Sequence, residues 1–375
     1  MAKKASAGKP TAESPKPKVD ASMMPTTQLE ERFAGLLLGT AVGDALGLPA
    51  EGLSPKRIQR RWNGEWKMRL VCGRGMVSDD TDHAFLVAQV LLNSPSDAAV
   101  FQNKLAARLR WWFLGLPAGV GLATARACLK LWLGISPKRS GVASAGNGPA
   151  MRSAILGAFF AGNPLQMRKF VTASTRITHT DPRAETAALA VAEAAAWAVG
   201  GQHDTHAFLH NLAACGSNNE WLRICRRLAE ANNTNETVKD FAGSLGLESG
   251  ITGYAFHTVP VAIYAWVRHP DDFRKALISV LDCGGDTDTA GAIVGALAGA
   301  SVGTAGIPKE WIDHLFEWPR TTTLLRQAAL RLAQQTTQEH PLGSVAYFWP
   351  GIILRNLLFF AVVLGHGFRR LLPPY

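Results

Sequence analysis

Residues 282–303 read DCGGDTDTAGAIVGALAGASVG: two glycines and, after them, two carboxylates lead into a helix with almost no polar side chains. Gly291, Gly295, Gly299 and Gly303 recur every four residues, which makes them one stripe down a helix face. Each glycine costs a helix about 1 kcal/mol relative to alanine. A helix carrying four needs another backbone pressed against the stripe to offset the loss. Asp286 and Asp288 stand where the loop enters the helix, the end at which the dipole and free N–H groups favour negative charge. Alone, such residues read as caps. A second element of the same kind changes that reading.

That element is LEERFAGLLLGTAVGDALGLPAEG, a helix predicted from Leu29, in which Gly35, Gly39, Gly43 and Gly47 again recur every four residues. The simplest inference is that the two striped helices cross closely at the centre of the fold. Asp44 lies near the far end of this helix. Glu51 falls just beyond Pro49, which stops it, and so rides a loop able to reach a central site.

A third helix mouth is VSDDTDHAFLVAQVLL, with Ser78, Asp79 and Asp80 at its start. These read as caps, or as oxygen ligands for a hard cation. If the glycine stripes bring this mouth to the Asp286–Asp288 mouth, four carboxylates share one buried place. They cannot all be ionised there without a compensating cation. Hydroxyl and carboxylate donors without His or Cys select Mg²⁺, Mn²⁺ or Ca²⁺ over zinc, and four carboxylates suit two such ions better than one. Two metals can orient hydroxyls and position a nucleophilic water. An isoprenoid synthase with a DDxxD motif is excluded by spacing, because His83 stands where the last aspartate belongs.

Composition agrees with an all-α chain. Of 375 residues 47% are apolar, enough for a large core, and no alternating strand pattern persists. The net charge of +10 is poorly focused, and part of it lies in a Lys-, Pro- and Ser-rich start expected to be a disordered basic tail over residues 1–27. Such a tail could brush nucleic acid or anionic lipid, but nothing else indicates nucleic acid. The five cysteines form no C-x-x-C pair and no zinc spacing, and no signal peptide is evident, which points to a reducing cytoplasm.

Residues 54–77 read as a loop-rich linker, and a Trp-rich helical stretch spans 101–135. Gly146-Asn147-Gly148-Pro149 leads into a helix and offers N–H groups to an anion such as a phosphate, without the preceding strand of a P-loop or Rossmann turn. Two helices over 165–200 join at ITHTDPRAETA, which holds His179; Tyr254 and His257 fall just upstream of the opening stretch. The last segment, 341–375, is an apolar helical extension. Its unbroken run Leu357–Gly365 is far short of the ~20 residues a spanning helix needs, so it is expected to dock on the body or to make a peripheral membrane or partner contact.

Taken together, GTAVGDALGLPAEG, VSDDTDHA, GNGPAMRSA, THTDPRAETA and CGGDTDTAGAIVGALAGA resemble the ADP-ribosylglycohydrolase family, in the family's order, over roughly residues 30–320 of a domain placed at 28–340. The resemblance implies an all-α orthogonal bundle with a central dimetal (Mg²⁺ or Mn²⁺) site, and cleavage of the N- or O-glycosidic bond between ADP-ribose and an acceptor. It implies Ser78, Asp79, Asp80, Asp286, Asp288 and Thr289 as metal ligands, and Glu51 and Asp80 as catalytic. It also implies a substrate contact for Asn147, Gly148, Met151 and Arg152 (the pyrophosphate loop), His179, Tyr254, Gly284 and Gly285. The substrate would be an ADP-ribosylated protein or a small ADP-ribosyl compound, and the enzyme a monomer. A non-catalytic ADP-ribose-binding or crystallin-like member of the same fold is the alternative. Two positions depart from the family pattern: Gly119 stands where many bacterial members carry an aspartate, and His257 where an acidic residue is expected.

Overall fold

The computed structural model describes residues 26–202 and 204–370; the basic tail read over 1–27 therefore lies outside the described residues apart from Thr26 and Thr27, which open the first helix. Among the described residues the chain is all-helical. In order the helices are α1 (Thr26–Gly47), α2 (Pro55–Trp62), α3 (Asp79–Leu91), α4 (Ala98–Leu114), α5 (Leu122–Trp132), α6 (Ala154–Phe159), α7 (Pro164–Arg176), α8 (Pro182–Val199) and α9 (Thr205–Leu212). They continue with α10 (Asn219–Asn233), α11 (Val238–Ser244), α12 (Ala255–Arg268), α13 (Phe273–Leu281), α14 (Thr287–Val302), α15 (Lys309–Asp313), α16 (Thr322–Gln335) and α17 (Gly351–Arg370).

The axis of the fold is the antiparallel pair α1 and α14. A methyl group built on Gly35, Gly39 or Gly43 would stand 2.1, 2.0 or 1.9 Å from the carbonyl oxygen of Gly299, Gly295 or Gly291 respectively. Only a residue without Cβ lets the two backbones approach so closely. The expected stripe contact is present, with its ends shifted. Gly47 meets the Thr287 carbonyl, and Gly303, at φ +68°, terminates α14 as its cap with its carbonyl carbon 2.9 Å from a Cβ built on Gly35. Both helices are buried on every side over most of their length, α1 from Phe33 to Gly47 and α14 from Thr287 to Ala300, and those stretches are apolar all round except where they open to a shared pocket. Around them α16 and α3 pack on α1, and α8, α12 and α13 pack on α14.

Residues 54–77 are not simply a linker. Pro55 at the first turn, Ile58 and Trp62 on one face and Asn63 in the left-handed region make α2 a short amphipathic helix, its outer face basic. The C-terminal extension also differs from the expectation. It is a continuous 20-residue helix, long and apolar enough to cross a membrane by length and composition alone, as is the buried α1. Its polar residues Arg355 and Asn356 both turn inward. Arg355 pairs with Glu317 and donates to the Val77 carbonyl at 2.6 Å, and Asn356 donates to the Gly115 carbonyl at 2.7 Å. All five cysteines are free.

Candidate active site

Three chain segments meet at the end of the central pair. Ser78 caps α3, its hydroxyl accepting from the Asp80 N–H at 3.3 Å. Asp44, fully buried on α1, accepts from the N–H groups of Ser78 (2.9 Å) and Thr81 (3.1 Å) and from the Thr81 hydroxyl (2.6 Å), which fixes the mouth of α3 against α1. The mouth of α14 joins them through Thr289, whose hydroxyl donates to Asp80 Oδ2 at 3.2 Å.

The loop before α14 is set by its glycines. The Gly285 N–H donates to the Leu53 carbonyl (2.8 Å) and the Gly52 N–H to the Gly285 carbonyl (2.7 Å), while the Asp286 N–H donates to the Ile251 carbonyl (2.9 Å). Gly284 and Gly285 have φ of +67° and +80°, and a side chain on Gly285 would stand 1.9 Å from the Ile251 carbonyl. The Glu51 loop is thereby tied to the Asp286 loop. Asn147 closes the ring, its amide donating to Asp286 Oδ2 (2.5 Å) and to the Thr258 hydroxyl (3.0 Å).

These residues open into a cleft of about 600 Å³ lined by Glu51, Asp79, Asp286, Asp288 and Thr289 on one side and by Gly119, Asn147, Gly148, Met151 and His179 on another. Larger hollows exist on the surface, but this one holds the convergent carboxylates, and its chemistry singles it out. Burial first, then the neighbouring Asp44, raises Asp79 and Asp80 well above the usual carboxylate range. Burial, then Glu51 and Asp286, does the same to Asp288. Burial pushes Asp44 up to about 7 against the hydrogen bonds it accepts. Glu51 stands at the mouth with solvent on one side and protein crowding the other; that crowding, then Asp286, raises it, and Arg370 opposes the rise. Asp80 Oδ1 and Asp288 Oδ1 are buried and hold no hydrogen bond.

Several candidates read from the sequence sit elsewhere than expected. Asp80 lies beneath the cleft, and Asp79 is the member of the pair that lines it. Arg152 does not face the cleft. Its guanidinium is fully buried and donates to the Ser174 hydroxyl (3.0 Å) and carbonyl (3.0 Å), the Thr178 hydroxyl (2.8 Å) and the Gly148 carbonyl (3.2 Å), so it supports the glycine loop from below. The N–H groups of that loop are largely committed: Asn147 donates to the Gly253 carbonyl, Ala150 and Met151 to the Asn147 carbonyl. His179 lies against Gly146 and Gly148, where a methyl group would come within 3.2 Å of its ring. Burial, then Arg152, lowers its pKa to about 3, which leaves a neutral imidazole. Tyr254 stands outside the lining, its hydroxyl 3.0 Å from both Glu220 carboxylate oxygens. Gly284 is likewise a backbone device, behind Gly285. The Gly119 backbone (φ +85°) borders the cleft, with space for a methyl group 3.9 Å from Asp79 Oδ1. His257 bonds Thr252 at 2.8 Å.

Sequence reasoning named Asp44 without joining it to the site and passed over Thr81. Their signal was present: Asp44 is the one ionisable residue in the apolar part of a glycine-striped helix, a burial that demands partners.

The profile of one protein family, ADP-ribosylglycohydrolase, matches residues 25–341. Among similar proteins, an uncharacterized protein of Archaeoglobus fulgidus is 31% identical over 76% of this chain and 92% of its own length. The ADP-ribosyl-[dinitrogen reductase] glycohydrolase of Rhodospirillum rubrum is 28% identical over 76% and 91% respectively. A solved structure described as an ADP-ribosylglycohydrolase-related protein complex superposes with a TM-score of 0.61 at 26% identity, covering 83% of this chain and all of that one. The fold and the family profile lead to one conclusion: this chain belongs to the ADP-ribosylglycohydrolase family.

Proposed function

We propose that the chain is a hydrolase that cleaves the glycosidic bond joining ADP-ribose to an acceptor, with two divalent cations as cofactors. The observation that carries this reading is the meeting of two acidic helix mouths through Thr289 and Asp80 beside a cleft deep enough for a nucleotide-sized ligand.

The residues suit hard cations. The donors are carboxylates and hydroxyls, and two buried carboxylate oxygens, Asp80 Oδ1 and Asp288 Oδ1, have no partner. Among the described residues no three His, Cys, Asp or Glu side chains already stand at ligand spacing. The carboxylates instead hydrogen-bond to hydroxyls and, for Asp286, to the Asn147 amide. Ser78, Asp79, Asp80, Asp286, Asp288 and Thr289 would hold Mg²⁺ or Mn²⁺, which when bound neutralises this charge and orients the ribose diol.

The protein's own groups supply the rest. Asn147 holds the Asp286 carboxylate in place, and the neutral His179 against Gly146 and Gly148 presents an uncharged surface to the substrate. Glu51, at the mouth with a raised pKa, is suited to accept a proton from an attacking water. Glu51, the lining carboxylate outside that ligand set, also offers negative charge to an oxocarbenium-like transition state. The test is release of ADP-ribose from arginine-linked and serine-linked peptides in Mg²⁺ or Mn²⁺. Release from either, abolished in Glu51→Gln, supports the reading; no release from any linkage with either metal opposes it.

A further inference from the structure

The C-terminal helix α17 carries two features that the hydrolase site does not use. Its inner face is fastened to the body by Ile352, Arg355, Asn356 and Phe359. Its outer face is a stripe at helical spacing, Leu354, Leu357, Leu358, Phe360, Leu364 and Phe368, each between 45% and 66% exposed. From Leu357 to Gly365 the helix has no polar side chain, and nowhere does it have an acidic one. Exposed Trp111 and Trp132, in edge contact with each other, and Phe348 lie on segments beside it, Trp111 also touching Trp349 just before the helix.

The second feature is cationic. The far end of α17 borders a hollow of about 900 Å³ whose lining includes Arg61, Lys67, Arg69, Arg274 and Arg369. Among the described lining residues the acidic one is Glu310, which pairs with Arg274; Glu65 stands 3.9 Å from Lys67. The exposed outer face of α2 adds Lys56, Arg57 and Arg60 with no acidic residue among them.

We infer that the chain attaches peripherally to an anionic lipid bilayer, with the outer face of α17 in the headgroup–acyl boundary and the basic surface of α2 and its neighbouring hollow against the phosphates. An apolar helical face joined to a polybasic patch is the combination that gives stable but reversible membrane attachment, and tryptophan and phenylalanine at the edge suit the interface. A protein partner fits less well, since protein interfaces carry about one hydrogen bond per 100–200 Å² and this stripe offers no side-chain donor or acceptor. The helix lies on the surface and does not span, because both ends are tied down. Arg355 and Asn356 hold the first half, and Arg370 donates to the Pro49 (2.9 Å) and Glu51 (2.7 Å) carbonyls at the other end. The cleft mouth, which includes Glu51, is thereby carried next to the membrane face.

The experiment is flotation of the full chain with vesicles of pure phosphatidylcholine and of phosphatidylcholine containing one third phosphatidylglycerol. The wild type is expected to partition roughly tenfold or more in favour of the anionic vesicles and to be released by alkaline carbonate. Leu354→Glu with Leu358→Glu is expected to abolish flotation, and Arg57→Glu with Arg60→Glu to remove the preference for anionic lipid. All four positions are exposed, so thermal melts of both variants should match the wild type. No flotation of the wild type, flotation unchanged in either variant, or resistance to carbonate would overturn the inference. So would a wild-type dimer that the leucine variant converts to monomer without loss of vesicle binding, because the stripe would then be a self-association surface.

Discussion

Thr289 Oγ1 donates to Asp80 Oδ2 across 3.2 Å, joining residues 209 positions apart in the chain. Through this contact the mouth of α14 meets the mouth of α3. Thr289→Val keeps the shape and removes the donor, leaving the Ser78 hydroxyl as the remaining side-chain donor on Asp80. Stability is expected to fall by about 1 kcal/mol, and Mn²⁺ affinity by roughly tenfold or more. A thermal melt and a calorimetric Mn²⁺ titration check both; an unchanged affinity would remove Thr289 from the site.

The spine of the fold is open to an equally direct challenge. A Cβ at Gly39 would stand 2.0 Å from the Gly295 carbonyl oxygen, whereas one at Gly365 on α17 meets nothing within 4 Å. Gly39→Ala is therefore expected to destabilise by on the order of 3 kcal/mol or more, since two backbones must part. Gly365→Ala should instead gain up to about 1 kcal/mol from helix propensity. Urea unfolding midpoints for the two variants give the comparison, and equal midpoints would contradict the packing described.

The contrast between those two glycines also explains how much could be read beforehand. A stripe of glycines in an apolar helix has little physical use except close backbone approach, so α1 and α14 were legible as a pair. The acidic mouths were legible for a similar reason, because clustered carboxylates demand a partner. Asp44 was not joined to them, since its place depends on where α3 arrives and no local pattern carries that. Arg152 was misplaced because a guanidinium beside a glycine loop suggests an anion site. Its flanks, Ala150, Met151, Ala154 and Ile155, belong to a buried segment, and burial decided its direction. The helix α2 was missed although its start at Ser54-Pro55 and its stop at Asn63-Gly64 were in the sequence.

Arg152 also yields a test. Lysine preserves the charge but cannot reproduce the fork that reaches Ser174, Thr178 and Gly148 together. Arg152→Lys is expected to cost about 2 kcal/mol of stability and to raise KM more than it lowers kcat, because the loop beneath the substrate loosens while the carboxylates stay in place. A fall confined to kcat would mean that Arg152 takes part in the chemistry.

The acidic cluster makes stability depend on pH and on metal together. A carboxyl raised by folding keeps its proton where the unfolded chain has lost it, so stability falls as pH rises through that interval. For Asp44 the interval runs from an unfolded value of about 4 to about 7 in the folded chain. Asp79, Asp80 and Asp288 are shifted in the same direction. After chelation the melting temperature is expected to drop across this range, and Mn²⁺ to restore it with release of protons, its affinity rising with pH. A chelated protein whose melting temperature is flat or rises over the same range would contradict the burial of these groups.

On the proposed function the cleft becomes a binding site only when divalent cations offset its carboxylates. Calorimetric titration of ADP-ribose into the wild-type chain, with Mn²⁺ and again after chelation, tests it most directly. Saturable binding with Mn²⁺ and none without it is the expected result. Equal binding in the two conditions, or no binding in either, would contradict it.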